Sequence, residues 1–521
     1  MKRMKLVLTL LFFLLKAGSF AQPGTPDPEF GTNGIVITDL GSTSEVGRSL
    51  AIQPDGKIVV IGETGTGMYD YDFALVRYNT NGSFDNSFGT GGIVITDFNS
   101  TDDEARSVIL QPDGKIVVAG YSYNLTGEKV FALARYNTNG TLDNTFSGDG
   151  KLTVYLNNDD EAQAVTIQNN GKIVIAGTTY DGSQQEFALL RFNTDGSTDN
   201  SFGTGGTVTT SFGGDFSVAM SLAIQPDGKI VVTGYAGNGI ASDFALARYN
   251  PDGTLDNSFS SDGMLTTDFG TDYDYAYSMD IQPNGKILVA GHCYDGISSP
   301  DFALAQYNPD GSPDNSFGGN GKVITSVTPN IDEAYSIVHQ PDGKIVVAGR
   351  TDDGVNSGFV LARYLPAGNL DISFGIGGIV ISQIGTSFNW AYSAALDPDG
   401  KIVAAGLTMN GTDFDIAVVR YISGLNSVGV LDFSVLENSV LIYPNPVQEN
   451  STLGYTLTER EEISIRLIDM QGRVLQTYLA CEKQEAGRHQ QVIFLPNGLT
   501  AGNYLLTISS LKGQMCIKIM K

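Results

Sequence analysis

A lysine-tagged turn recurs seven times along this chain of 521 residues. Gln-Pro-Asp-Gly-Lys ends at Lys57, Lys115, Lys229 and Lys344, and near-copies end at Lys172, Lys286 and Lys401, so successive lysines stand 58, 57, 57, 57, 58 and 57 residues apart. A period this regular means that one supersecondary unit has been copied, and the fold follows from that unit.

Each unit reads as four short strands. In the first copy they are 49–53, 57–62, 72–78 and 92–97, rich in Val, Ile, Leu, Phe or Tyr and bounded by Gly, Asn, Asp or Pro. Pro-Asp-Gly between the first two is a tight-turn signal, because Pro presets φ, Asp accepts local backbone hydrogen bonds and Gly tolerates positive φ. The run Ile58, Val59, Val60, Ile61 is apolar without alternation, as in a strand covered on both faces. Small sheets stacked between neighbours are the blades of a propeller. The chain opens on a lone fourth-strand segment at 35–39, and the seventh unit stops at its third strand, 415–421. The spare strand supplies the missing one, which predicts a closed ring; an open stack would need polar caps at both ends. The expected fold is all-β: a seven-bladed β-propeller of four-stranded antiparallel blades over 22–424, a linker at 425–438, and a small Ig-like β-sandwich at 439–521.

The ends and the composition point to export. Lys2, Arg3 and Lys5 precede the apolar run 6–15, and Ser19-Phe20-Ala21 is a small-x-small cleavage site, so 1–21 reads as a signal peptide. No other run approaches the roughly 20 apolar residues of a transmembrane span. A net charge of -26 argues against nucleic acid or anionic membrane as partner. With three cysteines the chain is not a disulfide-stapled scaffold, although Cys481 and Cys516 could pair within the C-terminal domain.

The stretch Asp-Phe-Ala-Leu-Ala-Arg-Tyr-Asn-Pro-Asp-Gly-Thr-Leu-Asp-Asn-Ser-Phe at 243–259, repeated with drift from about 30 to 421, resembles the delta-60 repeat of bacterial surface and secreted proteins. The resemblance implies a propeller and brings no particular activity. Further on, Tyr443-Pro-Asn-Pro446, the turn at Gly472-Arg473, Gly502-Asn-Tyr504 and the basic end at Lys518 to Lys521 resemble the C-terminal sorting domain of type IX secretion system cargo in Bacteroidetes. That resemblance implies the type IX machinery as a partner, passage across the outer membrane, removal of the domain, and release or attachment at the cell surface.

No Ser, His and Asp set, phosphate loop or paired-cysteine metal signature stands in a recognisable context, and no catalytic residue is assigned. Arg77, Arg135, Arg191, Arg248 and Arg363 are each followed eight residues later by an aspartate (Asp85, Asp143, Asp199, Asp256, Asp371), a pattern that predicts structural ion pairs; Arg420 lacks such a follower. Twelve residues before each tagged lysine stand Glu45, Asp103, Asp160, Ser217, Asp274, Asp332 and Asn389, at the entry to the innermost strand and on the face where loop lengths vary. In a closed ring they are expected to surround the mouth of the central channel, as a ligand site or as a solvated rim that caps local turns. Trp390, with Tyr275, Tyr277, Tyr335 and Tyr392 nearby, would give that mouth a carbohydrate-like surface. Asp103, Asp160 and Asp274 are the candidate metal ligands, with calcium as the cation and no other cofactor expected. The function expected is a secreted or cell-surface, non-catalytic propeller that binds a glycan, a surface polymer or a protein. The alternative is an extracellular polysaccharide hydrolase or lyase using the channel-mouth carboxylates as acid and base.

Overall fold

The computed structural model describes residues 22–65, 70–98, 102–270, 272–294 and 299–425, and further along 441–443, 451–457, 460–468, 474–496, 503–510 and 513–520. The predicted signal peptide and nearly all of the predicted linker lie outside the described residues. The chain divides into two compact units, one up to Gly424 and one from Leu425.

In the first unit every copy forms four antiparallel strands. In the first copy these are Ser44–Ile52, Ile58–Gly65, Tyr71–Tyr78 and Ile93–Thr96, paired in that order from inner to outer. The tagged turn joins the first two: Gln53 N–H donates to the Lys57 carbonyl at 2.8 Å, and Gly56 sits at φ +82°, where a side chain would be strained. The second strand is buried on both faces, as its unbroken apolar run predicts. Val59 and Ile61 pack with Phe88 and with Val118 of the next copy, while Ile58 and Val60 pack with Val403 and Ala405 of the seventh. Alternate residues of one strand thus belong to two inter-blade cores.

The ring closes where the sequence places the seam. Ile35–Thr38 pairs antiparallel with Asp413–Tyr421, from Ile35 opposite Val419 to Thr38 opposite Ile416. The N-terminal segment also supplies the partner that Arg420 lacks. Buried Asp27 accepts from Arg420 Nε at 2.8 Å and from Lys401 Nζ at 2.8 Å, across 393 and 374 positions of sequence. In the other copies the expected pairs form, from Arg77 with Asp85 at 2.8 Å to Arg363 with Asp371 at 2.9 Å. The tagged lysine joins each pair, as Lys57 reaches Asp85 at 3.0 Å and Lys115 reaches Asp143 at 2.8 Å. The same arginines tie blade to blade: Arg77 Nη1 donates to the Thr138 carbonyl at 2.5 Å, and Arg420 Nη1 to that of Thr80 at 2.6 Å.

Burial alone would raise the Asp85 carboxyl, but hydrogen bonds from Ser87 and Lys57 and the charge of Arg77 hold it well below the usual carboxylate range; Asp143, Asp199 and Asp256 are lowered in the same way. A carboxyl whose folded pKa is depressed contributes stability above its unfolded value, about 3.9, and loses it as pH falls through the folded one. The thermal midpoint is therefore expected to fall steeply below about pH 4. A melting series against pH checks this, and a midpoint unchanged down to about pH 2 would contradict it.

The second unit pairs a three-stranded sheet (Leu441–Tyr443, Ser451–Leu457, Gly487–Ile493) with a four-stranded one in the order Val474–Gln484, Glu461–Ile468, Asn503–Ser510, Gly513–Met520. Leu453, Tyr455, Ile463, Ile465, Leu467, Leu506 and Ile508 form their shared core, a small sandwich. Cys481 and Cys516 lie on the two opposite edge strands of the four-stranded sheet. The side chains of this cysteine pair lie outside the described residues.

Candidate binding site at the channel mouth

The innermost strand of every blade carries a bulge, and the bulge builds the channel. Pairing with the second strand slips by one residue between Gly47 and Ser49, and likewise at the equivalent place in the other six copies. The residue left over is Arg48, Arg106, Gln163, Met220, Tyr277, Tyr335 or Tyr392, and together these line a central cavity of about 320 Å³. Opposite the bulge the second strand must be glycine. A Cβ on Gly62 would stand 1.7 Å from the Val46 carbonyl oxygen, and one on Gly291 1.8 Å from that of Tyr275. One position past the bulge, serines bridge neighbouring blades: Ser393 Oγ accepts from Leu50 N–H at 3.2 Å and Ser336 Oγ from Ala394 N–H at 3.0 Å.

Two kinds of wall meet at the mouth. One is charged and internally paired: Arg48 with Glu63 at 2.6 Å, Arg106 with Glu104 at 2.6 Å, Lys129 with Glu161, and Arg350 with Glu333 at 2.5 Å. The other is aromatic. Tyr277 and Tyr335 have ring centroids 5.3 Å apart, Tyr335 and Tyr392 5.1 Å, and Tyr392 and Trp390 6.1 Å. Arginines join the walls, with Arg48 4.8 Å over the Tyr392 ring and Arg350 4.3 Å over Trp390. His292 packs between Tyr275 and Tyr277; burial pushes its pKa down to about 4, so it is neutral at neutral pH. Beside the seam a second cavity of about 330 Å³ is walled by Trp390, Tyr392, Phe388, Phe414, Arg48 and Glu63.

The ring read from the sequence sits at the entry to each inner strand but does not face the channel. Glu45, Asp103, Asp160, Asp274, Asp332 and Asn389 are all 0% exposed. Each accepts from the backbone of the loop before it: Asp103 from Phe98 N–H at 2.7 Å, Asp160 from Leu156 at 2.6 Å, Asp274 from Phe269 at 2.7 Å, Asp332 from Val327 at 2.7 Å, Asn389 from Gly385 at 2.9 Å and Glu45 from Ser42 at 2.8 Å. They cap the turns, as one of the two sequence readings has it, but they are not a solvated rim. The pleat is the reason: successive side chains alternate, so the next residue along (Glu104, Glu161, Tyr275, Glu333, Trp390) faces the mouth instead. Burial pushes Asp103 and Asp160 up to about 6. Asp103, Asp160 and Asp274 stand at separate blade junctions, so they do not converge on one ion. The Asn-x-Asp-Gly turns are turn chemistry: Asp252 Oδ1 accepts from Thr254 N–H at 3.0 Å and from its hydroxyl at 2.7 Å.

Trp390 and the four tyrosines do come together at the mouth, with Trp390 Nε1 donating to Ser357 Oγ at 3.1 Å. Sequence reasoning missed the arginines and their glutamates. Their signal was variability, since the position nine before each tagged lysine reads Arg, Arg, Gln, Met, Tyr, Tyr, Tyr inside an otherwise repeated strand.

The copies match the model of the domain of unknown function DUF5122 β-propeller at 53–88, 111–146, 168–202, 225–259, 282–317, 340–374 and 398–432. The chain carries seven DUF5122 β-propeller repeats. Residues 441–521 match the secretion system C-terminal sorting domain, a type IX tail that marks the chain as secreted and cell-surface. Among the described residues no helix is long and apolar enough to cross a membrane. No curated protein matches the chain. Similar solved structures include PorZ, a surface component of the type IX secretion system of Porphyromonas gingivalis, at 15% identity and TM-score 0.38, covering 92% of this chain and 59% of PorZ. Others are a PL25 ulvan lyase at 12% identity and TM-score 0.44, covering 74% and 96%, and virginiamycin B lyase from Staphylococcus aureus at 10% and 0.41, covering 74% and 98%. The chain thus spans 59% of the length of PorZ, and its likeness to all three is one of fold alone.

Proposed function

We propose that the propeller is a non-catalytic surface module that binds a neutral, hydroxyl-rich glycan at the channel mouth, with the sorting tail engaging the type IX machinery during export. The observation that carries this is the arc Tyr277, Tyr335, Tyr392, Trp390 set against paired arginines and glutamates. Aromatic faces cover the C–H faces of a sugar ring, and ion-paired guanidinium and carboxylate groups offer donors and acceptors to its hydroxyls without a net local charge. The overall charge of -26 disfavours a polyanion at long range. Binding is favoured over catalysis because the ring carboxylates first considered as acid and base are buried in backbone hydrogen bonds. The test is an array of neutral and acidic oligosaccharides probed with the intact chain. Retention of neutral saccharides without cleavage is expected. Shortened products would favour the hydrolase or lyase reading, and no retention would overturn the proposal.

A further inference from the structure

A different set of groups lies between the blades, away from the channel lumen. At three of the seven junctions the last turn of one blade and the entry of the next bring together three carboxylates whose ligand atoms lie within 4.8 Å of one another: Asp72, Asp97 and Asp103; Asp243, Asp268 and Asp274; and Asp39, Glu45 and Asp415. The three members occupy equivalent places in each copy: the start of the third strand, the residue just past the outer strand, and the start of the next inner strand. Acidic side chains alone say little. The other junctions act as internal controls, because none of them carries acids at all three positions: Asp160 stands with Val130 and Tyr155, Ser217 with Glu186 and Ser211, Asp332 with Asp301 and Ser326, and Asn389 with Gly358 and Gln383.

Where one or both companion acids are missing, the buried acid at the inner-strand entry is fully satisfied. At the junction with Val130 and Tyr155, Asp160 accepts from Thr179 Oγ1 at 2.6 Å on one oxygen and from Leu156 N–H at 2.6 Å on the other. Asp332 is engaged on both oxygens as well, by Thr351 and Thr328 on one and by Val327 and Thr328 N–H on the other. At the junction with Gly358 and Gln383 the entry residue is neutral, and Asn389 Nδ2 donates to Gln383 Oε1 at 3.2 Å and to the Ser357 carbonyl at 2.7 Å. A polar hydrogen there bridges the positions that elsewhere hold facing acids. At two of the three junctions where all the acids are present, satisfaction fails: Asp103 Oδ1 and Glu45 Oε2 are buried without a hydrogen-bond partner, on residues that are 0% exposed. Ser122 lies beside Asp103 but donates to the Tyr123 carbonyl at 3.3 Å. Lys151 donates to the Asp97 backbone carbonyl at 3.0 Å.

We propose that these three junctions bind calcium, each ion joining two adjacent blades, and that the Asp39, Glu45 and Asp415 site pins the seam where the ring closes. The donors are all oxygen, which selects a hard cation, and three carboxylates from three separate segments suit the flexible coordination of calcium better than the water-rich octahedron of magnesium. At the Asp103 and Glu45 junctions an orphaned carboxylate oxygen gains the partner it lacks, and at all three the mutual repulsion of the acids is relieved.

The intact chain, stripped with a chelator, would be titrated with calcium and in parallel with magnesium by calorimetry, and melted in each state. Calcium is expected to bind at about three sites per chain, matching the three clusters, and to raise the thermal midpoint by several degrees, with magnesium far weaker. Asp39, Asp97 and Asp268 are the exposed members of the clusters, so their replacement spares the buried caps. D97N should lose one site, and D39N/D97N/D268N should lose all binding and the thermal gain. An intact chain that binds no calcium, or a triple variant that binds it undiminished, would overturn the proposal. Glycan retention on the array is read separately and does not bear on this outcome.

Discussion

Replacing Asp27 with alanine will cost the propeller about 3–5 kcal/mol, the loss expected when one partner of a buried ion pair is removed and the other charges stay behind. Asp27 is 2% exposed and receives both Arg420 and Lys401. It also stands eight residues before the closing strand Ile35–Thr38, so its loss loosens the strand that completes the seventh blade across the two ends of the repeat array. Asp85, in the same role, sits within a blade whose four strands are continuous in sequence. Asp85→Ala is therefore expected to destabilise without abolishing cooperativity, whereas removal of residues 22–40 will expose two sheet edges and broaden the transition. Denaturant unfolding followed by circular dichroism distinguishes these outcomes. Wild-type stability in Asp27→Ala would show that the N-terminal segment does not clasp the ring.

The blade count, the strand order and the seam were legible in the sequence because they rest on period and on turn chemistry. Residues 49–53 and 57–62 fall within one residue or so of the observed inner and second strands at their shared turn, but the inner strand runs back to Ser44. The partner of Arg420 was also within reach: Asp27 precedes Phe30 by three residues, as Asp85 precedes Phe88. The eight-residue spacing from arginine to aspartate does not lead to it, because in the seventh blade the aspartate comes from the start of the repeat array, 393 positions before Arg420. The direction of side chains at the mouth was harder to read. A single bulge residue inverts the alternation beyond it, and a glycine on the neighbouring strand is its only trace in sequence. Hence Asp103 was expected at the mouth, while Glu104 and Arg106 stand there.

At the mouth, Trp390→Ala is expected to weaken glycan binding by about 2 kcal/mol or more, roughly thirtyfold in Kd, the scale of an aromatic hot spot. Arg350→Ala should weaken it less, through loss of the guanidinium that lies 4.3 Å over the Trp390 ring. Asp160→Asn removes a charge only from a buried turn cap and should leave affinity unchanged. Calorimetry on the saccharide selected by the array measures all three. If Asp160→Asn abolished binding and Trp390→Ala did not, the site would lie elsewhere.

Trp390 is the one tryptophan in the chain, so tryptophan emission, excited selectively over the 23 tyrosines, reports on the mouth alone. Titration of the intact protein with the retained neutral oligosaccharide should give a saturable change in tryptophan emission, with a midpoint equal to the calorimetric Kd. Saturable binding by calorimetry with no change in that emission would contradict a glycan site at the channel mouth.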